Sequence, residues 1–73
     1  MNYDLAMMAL EGLARGPLSV RADGSEVVIE GSPASFKELA RLCLLLGGAT
    51  GDEEFELQPG VHVQGLRVKL QLS

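Results

Sequence analysis

Asp23-Gly24, set between two runs of alternating apolar and polar residues, is the feature that most restricts the fold of this chain. Such a pair tolerates the positive φ angles that a two-residue hairpin turn demands, so Leu18 to Glu30 is expected to double back as two antiparallel strands. Setting Ala22 opposite Ser25 places Val20 opposite Val27 and Leu18 opposite Ile29 on one face, with Arg21 opposite Glu26 on the other. A single register thereby accounts for an apolar face and a charged one.

The flanking segments read as helices. From Tyr3 to Arg15, the residues Leu5, Met8, Ala9 and Leu13 fall on one helical stripe, with Asn2 or Asp4 to cap the start and Gly16-Pro17 to close the end. Met7, Leu10 and Ala14 add a second apolar flank, more than a surface helix with one buried face requires. Gly12, inside this helix, costs about 1 kcal/mol against alanine, which marks either the close approach of another backbone or a loosely formed helix. Gly31-Ser32-Pro33 opens the second helix: Ser32 can cap free backbone donors, and Pro33 suits the first position, where its missing N–H costs nothing. Phe36, Leu39, Ala40, Cys43 and Leu46 form its expected buried stripe, Lys37, Glu38 and Arg41 take solvent positions, and Gly47-Gly48 ends it. Leu42 to Leu46 is apolar on every side and is expected to be enclosed by the first helix or covered by another subunit.

After a small-residue linker from Gly47 to Asp52, Glu54-Phe55-Glu56-Leu57 alternates as a strand with its acids outward. Leu66 to Leu72 is apolar at every even position and polar at every odd one, with Arg67 and Lys69 on the outer face. An acidic and a basic strand pair favourably as an antiparallel hairpin, with Glu54 facing Lys69 and Glu56 facing Arg67. Residues 58–65 form the connection, turned by Pro59-Gly60, and Val61 to Val63 is a candidate short strand within it. The order α-β-β-α-β-β predicts an α+β fold with one four-stranded, mainly antiparallel sheet and both helices packed on one face. Residues 1–73 make a single domain, an N-terminal helix over 1–16 and a ββαββ core over 17–73, because so short a chain cannot supply two cores unaided.

Composition narrows the function. Ten acidic against six basic side chains give a formal charge of −4, which argues against nucleic acid, whose phosphates require a Lys/Arg surplus, and favours a basic protein partner. An apolar fraction of 47% without tryptophan makes the core aliphatic. The single Cys43 cannot form an internal disulfide, and neither a signal segment nor a membrane-length apolar run is visible, so the expected location is cytoplasmic.

Catalytic chemistry finds little to work with, and the chain is read as a non-enzyme without cofactor or metal. His62 is a lone imidazole with no second ligand at metal-binding spacing, and its default role is a solvated side chain. Cys43, among leucines, reads as core filler, since desolvation suppresses thiolate formation. Gly47, Gly48 and Gly51 follow a helix, whereas phosphate-cradling loops place their glycines before one. Asp52-Glu53-Glu54 with Glu56 is the densest charge cluster, read either as a solvated strand entry or as an acidic patch aimed at a basic partner.

The stretch from Glu26 to Leu42, a strand followed by a Gly-Ser-Pro cap and a Leu-Ala helix, resembles the bacterial immunity protein 32 family. The Leu18 to Gly24 hairpin and the Phe55 to Gly60 segment before a terminal strand are also similar to it, so the resemblance covers about residues 18–72. It implies a protein that neutralises a cognate toxin of a polymorphic system, often nuclease-like, by binding it, with no catalytic residues. On this reading the contact residues are Asp52, Glu53, Glu54 and Glu56, with Glu26 and Glu30 on the other hairpin. The first helix falls outside the resemblance and is a candidate dimerisation element. The alternative is a homodimeric accessory or regulatory protein with Met7, Leu10, Leu42, Leu44 and Leu45 at its interface, and a small enzyme or metal protein built on His62 ranks last.

Overall fold

In the computed structural model, which describes residues 2–73, Asn2 opens helix α1 (Tyr3–Arg15) by accepting the Leu5 N–H on its side-chain oxygen at 3.2 Å. Asp4 in the first turn and Arg15 in the last complement the helix dipole, and the Gly16 N–H closes the helix on the Gly12 carbonyl. Strands β1 (Leu18–Asp23) and β2 (Glu26–Glu30) follow. Ser32 caps helix α2 (Pro33–Gly47), its Oγ accepting the Ser35 N–H at 3.0 Å with Pro33 in the first turn. Strands β3 (Glu54–Leu57), β4 (Val63–Gly65) and β5 (Val68–Gln71) complete the chain.

The α+β class stands, but the single four-stranded sheet does not. Five strands divide into a three-stranded sheet of order β2-β1-β4 and a two-stranded sheet β3-β5. The connection expected between β3 and β5 contributes β4, which pairs parallel with β1, Leu18 beside Val63 and Val20 beside Gly65. Gly65, at φ +105°, is the reason for the split. Its backbone turns away from β1 where a Cβ would collide with the Val20 carbonyl oxygen, and the Leu66 N–H then donates to that same oxygen at 2.9 Å. The chain leaves the first sheet there and enters the second.

Both hairpins slide by two residues from the expected pairing. Asp23 stands opposite Glu26, so Val20 faces Ile29 and Ala22 faces Val27. The turn is therefore Gly24-Ser25, with positive φ at Gly24 alone, the mark of a type II′ turn with glycine at its first central position. In the second hairpin Glu56 faces Lys69 and Glu54 faces Gln71, while Glu56 reaches diagonally to Arg67.

One core serves both sheets. Ala6, Ala9 and Leu13 from α1 and Leu42 and Leu46 from α2 meet Leu18 and Val20 of β1, Phe55 and Leu57 of β3, and Val63 of β4. Both helices are rotated from their expected phases: Leu5 and Met8 of α1, and Phe36, Ala40 and Cys43 of α2, are exposed. The small Ala6 and Ala9 face the core because they let α1 approach closely. Gly12 makes room for a side chain rather than a backbone, since a Cβ there would overlap the Glu38 carboxylate, which pairs with Arg41.

Ser35 is the buried polar side chain that joins the helices. Its hydroxyl donates to the Gly16 carbonyl at 2.6 Å, so the 2.9 Å contact with Ser32 has the Ser32 hydroxyl as donor. Ser35→Ala strands the Gly16 carbonyl and is expected to cost about 1–2 kcal/mol, seen in a thermal melt as a Tm lowered by roughly 5–15 °C.

Candidate functional site

The carboxylates divide by what the fold supplies to them. Glu56 is held by Arg67 at 3.0 Å, Glu30 by Arg21 at 3.4 Å, and Asp23 shares that arginine at 3.6 Å. No cation lies within 4 Å of Glu26, Asp52, Glu53 or Glu54 among the described residues. Glu56 and Glu30 are therefore partly neutralised within the chain, and Glu26 stands at the hairpin tip opposite the like-charged Asp23.

Asp52, Glu53 and Glu54 come together at one place. Gly51, at φ +108°, turns the linker into β3, and the three acids then border a surface recess of about 350 Å³ with Tyr3 and Phe55. Tyr3 projects from the start of α1 and is exposed, whereas the Phe55 ring is buried in the core. One oxygen of Glu53 is shielded from solvent with no hydrogen-bond partner. Carboxylates without internal counter-ions beside an accessible aromatic face favour a lysine or arginine side chain, by direct charge pairing and by cation–π contact. Tyr3 lies far from the acidic run in sequence, and no local pattern marks it as a neighbour.

The first hairpin presents a second surface of interest. β2 is the edge of its sheet, and Val27, at 65% exposure, and Ile29 project from it into solvent with Glu26 and Glu30 at the strand ends. The expected pairing of these two residues with Val20 and Leu18 implied burial, but the helices cover only the β1 half of the hairpin. Unpaired backbone groups along such an edge can accept an added strand.

The residues expected at a dimer interface scatter. Leu42, expected at the interface, is instead wholly enclosed, at 0% exposure, and belongs to the chain's own core. Leu10 and Leu45 are half-buried and pack against that core, while Met7 and Leu44 are exposed. Leu5 and Met8, assigned to the interior by periodicity, instead stand outward on α1.

His62 has a structural task. Its Nδ1 accepts the Gln58 N–H at 3.1 Å, and its carbonyl accepts the Leu18 N–H at 3.1 Å, which ties the 58–63 loop to the start of β1. Cys43 is exposed on α2 rather than buried as core filler. Among the described residues no three His, Cys, Asp or Glu side chains are gathered so as to hold a metal ion, and no helix is long and apolar enough to cross a membrane. Comparison with family models, with curated proteins and with solved structures finds no match to this chain.

Proposed function

We propose that this domain is a non-catalytic binding module for a basic protein partner, acting as an immunity protein that occludes a cognate toxin, a nuclease being the class the resemblance over residues 18–72 favours. The observation that carries the reading is the recess bordered by Asp52, Glu53 and Glu54: three carboxylates without internal counter-ions, placed together beside Tyr3 in a chain of net charge −4. A partner with lysines or arginines gains there both encounter rate and bound-state pairing. Glu26 supports it from the β2 edge, while Glu30 and Glu56 contribute less because arginines of the same chain already hold them.

Co-expression with the product of the adjacent reading frame tests this directly. Protection of the cells and a co-purifying complex are expected, and unprotected cells with no complex would overturn the reading. Reversal of two acids, Asp52→Lys with Glu54→Lys, is expected to weaken the complex by roughly 100-fold, since losing a charge partner at an interface costs about 2–5 kcal/mol. Both side chains are exposed, so the circular-dichroism melt should move little. Unchanged affinity by calorimetry would remove the recess from the contact surface.

A further inference from the structure

We infer that the outward groove between α1 and α2 is a two-fold interface that takes a second copy of this chain. Two adjoining recesses of about 290 and 300 Å³ share Leu5 and Arg41, with Met8 on one side and Leu44 and Leu45 on the other. Leu44 is 76% exposed, Met8 62% and Leu5 49%, so three large apolar side chains stand in water along one line of contact. Apolar residues gathered in this way, rather than scattered singly, mark an interaction surface.

Charge identifies the occupant. The chain carries −4 overall, but the groove's charged residues balance: Glu11 and Glu38 against Arg15 and Arg41. A strongly basic or acidic partner finds no net attraction there. Glu38 and Arg41 satisfy each other, whereas Glu11 and Arg15 stand one turn apart on α1 with no ion pair to either among the described residues. An isologous interface requires a patch that complements itself, and unpaired opposite charges one turn apart meet that requirement: a two-fold axis can set each Glu11 against the Arg15 of the other copy. The acidic recess at Asp52–Glu54 is a poor seat for a second copy, because like charges would face one another.

Sedimentation across a dilution series, with refolding checked by circular dichroism, tests the assignment. The wild-type chain is expected to be dimeric at about 100 μM and to dissociate on dilution, while Leu44→Asp leaves a folded monomer. Glu11→Arg and Arg15→Glu should each weaken association about 10-fold or more, and the two together should restore it to near the wild-type constant. A wild-type monomer at the highest concentration overturns the proposal. So does a dimer indifferent to Leu44→Asp and to both charge swaps, which would place the contact on another face. If the chain is monomeric throughout and Leu44→Asp instead abolishes capture of the basic partner, the groove belongs to that partner. Asp52→Lys with Glu54→Lys should leave dimerisation intact, which separates this inference from the toxin-binding reading.

Discussion

Replacement of Gly65 by alanine is expected to destabilise the domain by about 3 kcal/mol or more, lowering Tm by roughly 12–25 °C. Two penalties coincide at this residue. Its φ of +105° lies where an L side chain is strained, and the added Cβ would strike the Val20 carbonyl oxygen, a backbone atom that cannot swing aside. That oxygen also accepts the Leu66 N–H, so relieving the collision breaks the link between the two sheets. Gly24 provides the control. It too has a positive φ, but nothing lies within 4 Å of an added Cβ, so Gly24→Ala should cost only about 1 kcal/mol. Equal losses at the two positions in urea titrations would show that backbone conformation alone, and not the collision, sets the cost at Gly65.

Leu42→Ala should cost about 3–4 kcal/mol, because the side chain is fully enclosed and its loss leaves a cavity among packed neighbours. For a domain of this size that is a large share of the total stability. The loss should not depend on protein concentration, since Leu42 contacts the chain's own core. Leu44→Ala, two residues away, should change monomer stability by no more than about 0.5 kcal/mol. Denaturant unfolding of both variants at two protein concentrations checks the contrast. A concentration-dependent loss at Leu42 would return that residue to an interface.

Leu42 and Leu44 also show where sequence pattern stops being informative. Helix bounds were legible because capping is local chemistry: Asn2, Ser32 and Pro33 act within one turn of where they stand. Helix phase was not, because Leu42 to Leu46 is apolar all round and α1 carries two apolar flanks, so periodicity alone admits more than one buried face. Tertiary packing chose the face with Ala6 and Ala9. The hairpins failed in a different way. Alternation has a period of two, so a slide of two residues leaves every side chain on its original face, and only turn geometry distinguishes the registers. Gly24, rather than Asp23, supplies the positive φ.

The division into two sheets was the least legible feature. It depends on one glycine's backbone and on a parallel pairing between distant segments, neither of which leaves a periodic trace. The candidate site was legible in composition and not in geometry. The acidic run at 52–54 stands out in the sequence, but the company of Tyr3 and the capture of Glu56 and Glu30 by arginines are products of folding. The apolar surplus of the helices was also visible, and its location only in part: Met7 and Leu44 are exposed as expected, whereas Leu5 and Met8 carry the exposure that Leu10 and Leu42 were expected to share.

The pairing of Leu18 with Val63 bears on the timetable of synthesis. A nascent chain that has released α1, the first hairpin and α2 from the ribosome still lacks the strand that completes the sheet beside β1. Until residues 54–71 emerge, Leu18, Val20 and the apolar sides of both helices cover one another only in part, without Phe55, Leu57 and Val63. Closure across so long a span is slow relative to helix formation, so this domain completes its core only once its last strands have been made. Ribosome-stalled chains of graded length, probed by protease, should therefore pass abruptly from sensitive to resistant, with no stable halfway form.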